Sequence, residues 1–149
     1  MRAVVQRVRS SSVTQQESGE VSGQIGRGLN VLLGVCHEDE AADSRYLAEK
    51  IANLRIFEDE AGKMNVNPAD AGAQLLIISQ FTLFADCRSR RPGFSKAARP
   101  EKAIPLYELV IAECKKRGFS VGTGEFGAEM KVESVNDGPV TIILDTREL

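Results

Sequence analysis

Leu75-Leu76-Ile77-Ile78-Ser79-Gln80-Phe81-Thr82-Leu83-Phe84 passes from an unbroken aliphatic run into two hydroxyls and an amide. A short apolar run of this kind reads as a buried strand. Ser79, Gln80 and Thr82 therefore fall where a core strand ends. A second stretch near the end of the chain has a related character. Asn136-Asp137-Gly138-Pro139 leads into Val140-Thr141-Ile142-Ile143-Leu144, a largely β-branched run. Proline lacks an N–H donor and belongs at a strand start, so Pro139 is sterically well placed there.

Strands also lie upstream of the central run. Residues 2–8 alternate as a strand. Ser12 to Gln15 and Val21 to Ile25 flank Glu17-Ser18-Gly19-Glu20, a hairpin-like turn. After the Gly26-Arg27-Gly28 break, Leu29 to Val35 is nearly continuous in apolar residues, as a central strand should be. Leu47, Ile51 and Leu54 recur at helical spacing behind Asp39 or Asp43, either of which would cap the helix. Arg55-Ile56-Phe57 and Met64-Asn65-Val66 bracket Asp59-Glu60-Ala61-Gly62 as a second hairpin.

Downstream, Ala85 to Arg99 reads as a loop. Pro100 opens a second helix, with Leu106, Val110, Ile111 and Cys114 on one side. Lys115-Lys116-Arg117 suit its C-terminus and Gly118 its C′ position. Ser120-Val121, Ala128 to Val135 and Val140 to Asp145 complete the strands. No alternating βαβα rhythm is visible. The expected fold is an α/β or α+β single domain over residues 1–149. A curved, mostly antiparallel sheet or roll carries two main helices packed on it.

Bulk composition narrows the function classes. A chain of 149 residues with net charge −2 has no global attraction to nucleic acid or to a membrane surface. No apolar stretch approaches the length of a membrane-spanning helix, and the strand-like N-terminus has no signal-peptide core. Cys36, Cys87 and Cys114 are widely spaced and form no metal-like pair. The expectation is a cytoplasmic protein with reduced thiols.

The Ser79–Thr82 segment reads as a nucleophile or oxyanion site, or as an edge strand whose hydroxyls satisfy neighbouring backbone groups. A hydroxyl nucleophile needs a base. The single histidine, His37, stands with Glu38, Asp39 and Glu40 in what looks like a solvated turn, which argues against a Ser-His-Asp arrangement. One His and scattered Cys offer no metal cluster, so neither metal nor other cofactor is expected. Gly122-Thr123-Gly124-Glu125-Phe126-Gly127 echoes a dinucleotide fingerprint but no helical pattern follows it. Arg88, Arg90, Arg91, Lys96 and Arg99 cluster around Phe94. Such a loop grips phosphates with a ring available for stacking, or is an ordinary solvated surface. The acidic balance of the chain favours a narrow footprint, such as one RNA end.

Both motif segments resemble those of the D-aminoacyl-tRNA deacylases, and the similarity runs almost end to end. It takes in Met1 to Val8, Gly28 to Gly34, Arg55 to Phe57, Gly62 to Asn65 and Ser79 to Asp86. It continues through Arg91 to Ala98, Gly124 to Met130 and Asn136 to Thr141. The resemblance implies hydrolysis of the ester joining a D-amino acid to the terminal adenosine of tRNA. It implies a homodimer with active sites at the interface. Ser79, Gln80, Phe81 and Thr82 would form the catalytic segment, and Gly138, Pro139, Met130, Phe126 and Ala97 would bind substrate. A cis Gly138–Pro139 pair would enter the partner's pocket, hold the α-amino group and exclude an L side chain. Glycyl-tRNA would pass as a second substrate. Backbone N–H groups near Phe81 and Thr82 would stabilise the oxyanion while the substrate's own ribose hydroxyl assists water. Two other classes stand beside this one: a small-molecule esterase or amidase using Ser79 or Thr82, and a non-catalytic RNA-binding module using residues 88–102.

Overall fold

A computed structural model describes all residues, Met1–Leu149. Eight strands and two α-helices follow in the order β1 (Arg2–Gln15), β2 (Val21–Ile25), β3 (Gly28–Gly34), α1 (Ala41–Ala52), β4 (Phe57–Glu58), β5 (Met64–Val66), β6 (Gln74–Ser79), a 3₁₀ turn (Phe81–Phe84), α2 (Pro100–Lys116), β7 (Val121–Thr123) and β8 (Met130–Asp145). The main sheet runs β2-β1-β3-β6-β7, with β8 paired along β1. In its first half β1 lies between β3 and β8: Val5 faces Val31 on one side and Ile142 on the other. Further along it lies between β2 and β8, with Ser11 opposite Ile25 and Ser134.

The sheet is mixed. β1 pairs antiparallel with β2, β3 and β8. β3–β6 and β6–β7 are parallel. The two parallel joins are crossovers carrying α1 and α2, so two βαβ units are present. The β4–β5 hairpin and the 85–99 loop are inserted into those crossovers and conceal their rhythm in the sequence.

Period-two alternation explains the core. Leu75 and Ile77 of β6 join a cluster of 24 buried residues that includes Leu29, Val31 and Leu33 of β3. Leu47 and Ile51 of α1 and Leu106, Tyr107 and Val110 of α2 seal that face. Leu76 and Ile78 point the other way into a cluster of five with Val8, Val13 and Ile25. The unbroken aliphatic run at 75–78 is thus buried on both faces, as a central strand with parallel neighbours must be.

Several local readings change. The N-cap of α1 is Glu40, whose N–H donates to Asp43 Oδ2 at 2.9 Å. Asp39 is not a cap: it is wholly buried and accepts from the Met1 α-amine at 2.6 Å and the Cys36 N–H at 2.8 Å. Residues 2–8 and 12–15 belong to one strand, as do 130–135 and 140–145. Register shifts between Gln6 and Val8 and between Val8 and Ser10 carry the ladder past Asn136–Pro139 without ending it. The second helix opens at Pro100 as read, and Gly118 follows its C-cap with φ +95°.

Candidate active site

Parallel strands β3 and β6 both end at the same edge, where ligands of α/β sheets commonly sit. There the chain turns sharply. The Gln80 N–H donates to Leu33 O at 2.7 Å, binding the segment after β6 onto the end of β3. Gly34 permits this approach, because a Cβ there would lie 3.0 Å from the Gln80 carbonyl and 3.1 Å from Leu83 Cβ. Phe81–Phe84 then forms one 3₁₀ turn closed by Leu83 N–H to Gln80 O and Ala85 N–H to Thr82 O. The first N–H groups of such a turn have no internal acceptor. Those of Phe81 and Thr82 bond to nothing else in the protein.

A cavity of about 380 Å³ opens at this edge. Ser79, Gln80 and Phe81 line one side, and Leu33, Val35 and Ile78 are the strand ends below them. Ala98, Ala103 and Tyr107 bring in α2, while Phe126 and Met130 close the remaining side. The lining is mostly apolar with a few convergent polar groups, the usual character of a small-molecule site. Glu129, an exposed residue, is its one carboxylate; no His, Lys or Cys reaches it. Tyr107 is anchored, its hydroxyl donating to Ile77 O at 2.8 Å and its ring 5.9 Å from that of Phe126. Burial, helped by nearby Glu108, pushes the phenol up to about 12, so it is a fixed neutral donor.

The residues expected to act together are placed unequally. Ser79, Gln80, Phe81, Phe126 and Met130 share the cavity. Thr82 is exposed beside it, and its hydroxyl accepts from the Gln80 amide at 2.5 Å. Ala97 is not in the lining; it bridges to Cys36, and its neighbour Ala98 takes the cavity position. His37 lies outside, with Nε2 2.7 Å from Ser95 O, and serves as a loop strut.

Gly138 and Pro139 are exposed and line no part of this chain's own cavity. Their peptide bond is cis, as expected from the resemblance. Gly138 has φ +122°, and a Cβ on it would meet Val140 Cγ2 at 2.9 Å and Arg7 Nη2 at 3.2 Å. Arg7 fixes this turn from behind. It is 4% exposed and donates from Nε to Asp137 O at 3.2 Å and from Nη1 to Ile56 O at 2.7 Å. The carboxylates of Asp137 and Glu58 stand 3.5 and 3.8 Å away. The sequence reading assigned Arg7 no role, nor Tyr107 or Ala98. A signal for Arg7 exists: it continues the Ala3, Val5 series on the core face of β1, where an apolar residue belongs.

The basic loop is ordered by backbone pairing. Asp86 and Gly93 exchange N–H···O bonds of 2.7 and 2.9 Å, and Ala98 N–H donates to Val35 O at 2.9 Å. Arg88 is folded back on Asp86, and this contact holds the Asp86 carboxyl below its usual range. Arg99 stands 3.7 Å from Glu101. Arg90, Arg91 and Lys96 are exposed and have no ion-pair partner.

Known proteins share both the sequence and the fold of this chain. The family model described as D-Tyr-tRNA(Tyr) deacylase matches residues 4–145. A D-aminoacyl-tRNA deacylase of Clostridioides difficile (strain 630) is 59% identical over 147 residues, covering 98% of this chain and 97% of its own. Among solved structures, one titled c-Myc DNA Unwinding Element Binding Protein superposes with TM-score 0.90 at 42% identity, covering 97% of this chain and 98% of its own. Another, a probable eukaryotic D-amino acid tRNA deacylase, shares the fold with TM-score 0.84 at 15% identity, covering 96% and 97%. A match across nearly the whole chain, carried by relatives of more than half identity, leaves one reading: the chain belongs to the D-Tyr-tRNA(Tyr) deacylase family and is a hydrolase of D-aminoacyl-tRNA.

Proposed function

We propose that the cavity beside Ser79–Thr82 is the deacylation site and that it is completed by Gly138 and Pro139 of a second copy of the chain. The observation that carries this is the pair of acceptor-free N–H groups at Phe81 and Thr82, at the mouth of a cavity large enough for an aminoacylated nucleoside. Water attacks the ester carbonyl, and the developing oxyanion accepts from those two N–H groups. The ester bond to ribose breaks, the ribose oxygen takes a proton, and free amino acid and tRNA leave. No residue with base character lines the cavity except Glu129. An aminoacyl ester is already activated, so the neighbouring ribose hydroxyl suffices to orient the water and to relay its proton, passing its own to the departing ribose oxygen as it accepts the water's. Gln80 and Thr82, bonded to each other, hold the turn in shape and do not act as nucleophiles.

In this reading the partner's Gly138–Pro139 backbone receives the α-ammonium group. An L side chain would point at that wall and a D side chain away from it. Glycine offers nothing to exclude, so glycyl-tRNA is cleaved as well. The exposure of Gly138 and Pro139, outside the lining of their own cavity, supports a site shared between two copies. Residues 1–149 act as one domain, paired with a second copy; neither metal nor cofactor takes part, and the protein works in the cytoplasm on the 3′ end of tRNA. D- and L-tyrosyl-tRNA, each with and without chelator, test this. The D-ester alone should be cleaved, at the same rate in EDTA. Equal cleavage of both enantiomers, or loss of activity in EDTA, would reject the mechanism. Turnover of a free D-tyrosine ester at the rate of the tRNA ester would make this a small-molecule esterase.

A further inference from the structure

Six phenylalanines occur in the chain, and Phe81 and Phe94 are the two that are exposed, at 54% and 39%. They touch each other. Their ring centroids are 5.1 Å apart with planes at 72°, an edge-to-face contact. Such a contact occupies one face of one ring and leaves the others open. Phe81 lines the cavity and Phe94 does not, so the pair runs from the cavity mouth outward.

Phe94 stands on a braced backbone. Gly93 exchanges hydrogen bonds with Asp86, Phe94 O accepts from the Ala97 N–H at 3.1 Å, and Ser95 O is held by His37. The Lys102 ammonium in turn donates to the His37 carbonyl. A surface ring held this firmly presents its face with little entropy left to lose. The three unpaired cations, Arg90, Arg91 and Lys96, belong to the same loop. Exposed aromatic faces beside unpaired cations are the makings of a single-strand site, where bases stack and phosphates are neutralised.

Resting on the deacylase reading of the cavity, we propose that Phe81 and Phe94 form a stacking platform for the unpaired base that precedes the terminal adenosine of the RNA. Arg90, Arg91 and Lys96 neutralise the adjoining phosphates. With the terminal nucleoside in the cavity, the chain must leave past Phe81, and its next base meets the Phe94 ring. Stacking reads no base edge, so this contact grips any tRNA, independent of the amino acid it carries.

The test compares D-tyrosyl-tRNA with D-tyrosyl-adenosine, which has the ester but no preceding nucleotide. Phe94→Ala and Phe94→Leu should lower kcat/KM on the tRNA by about 5- to 150-fold, the range for losing one base–aromatic stack. Phe94→Tyr should restore it, and all three should leave D-tyrosyl-adenosine unaffected. An equal fall on both substrates would make Phe94 a structural prop, and an unchanged tRNA rate would remove it from RNA binding; either overturns the platform. A second measurement does not depend on hydrolysis. Uncharged tRNA abasic at the nucleotide before the terminal adenosine should bind the wild type more weakly than intact tRNA, and Phe94→Ala equally to it. If abasic and intact tRNA bind the wild type alike, the platform is wrong even where deacylation is confirmed. If neither ester is cleaved while the abasic penalty persists, the platform stands and the deacylase reading falls.

Discussion

Thr82 and His37 are both exposed and polar, yet the surroundings give them opposite weight. The Thr82 hydroxyl receives the Gln80 amide inside the turn whose Phe81 and Thr82 N–H groups have no acceptor within the protein. His37 ties one loop to another. Thr82→Ala should slow deacylation by about 10²-fold, the scale of a lost oxyanion contact, because a loosened turn misaims its N–H groups. Thr82→Ser should recover most of that rate and His37→Ala should be near neutral, all read from single-turnover kinetics with D-tyrosyl-tRNA. A folded but inactive His37→Ala protein would reinstate base catalysis. Gly138 is a sharper case. Its φ of +122° is one that side chains rarely adopt, and a Cβ would press on Val140 and Arg7. Gly138→Ala should cost activity and D/L discrimination more than thermal stability, since the residue is exposed and belongs to neither core cluster.

Elements differ in how far their residues reveal them. Both helices are plain in the sequence because one stripe of each is apolar and its ends carry stop signals, Pro100 and Gly118 for α2. The aliphatic runs of β3 and β6 are plain because both faces are buried. Continuity of β1 and β8 is not, since Gly138-Pro139 reads as a break and only the partner strand's register shifts accommodate it. The turn after β6 is legible as hydroxyls after a core strand; the cavity wall contributed by Tyr107 and Ala98 is not, because docking of α2 decides it. The basic loop is legible only as a count of charges. Which of them are free follows from pairing: Arg88 and Arg99 already have acidic partners. Replacing Arg90, Arg91 and Lys96 by Ala should therefore reduce the slope of log affinity against log salt by about 2, from three contacts at about 0.7 each. Arg88→Ala or Arg99→Ala should barely move it. Filter binding of tRNA at several salt concentrations reads the difference, and an unchanged slope for the triple variant would leave those charges as ordinary surface.

At the scale of the whole molecule, the two ends of the described chain are joined by a polar cluster. Met1 and Asp39 pair at 2.6 Å, Arg2 Nε donates to Asp145 Oδ2 at 2.7 Å, and the Thr146 hydroxyl donates to Asp43 Oδ1 at 2.7 Å. Burial raises the Asp145 carboxyl, but the Arg2 guanidinium and the Arg147 N–H more than offset it and leave it below the usual range. The folded protein then holds fewer protons here than the unfolded chain. The stabilisation is present above the ordinary carboxylate value of about 4 and is lost as pH falls through the folded value. Asp145→Asn should accordingly lower Tm at pH 7, and the difference between the two proteins should shrink as pH falls through the lowered folded value.

A site shared between two copies makes a prediction that no single-chain site can meet. Under the proposed sharing, Thr82→Ala damages the turn on the chain that carries it, and Gly138→Ala damages the wall that chain would lend to a second copy. In a mixed dimer one site combines both faults, and the other combines an intact turn with an intact Gly138–Pro139. Two nearly inactive variants, unfolded and refolded together, should therefore recover about a quarter of wild-type activity, since half the dimers are mixed and each has one sound site of two. Each variant refolded alone should recover nothing. A protein that completes its site within one chain would show no rescue at any mixing ratio, and Gly138 would then act on its own cavity through the fold of β8.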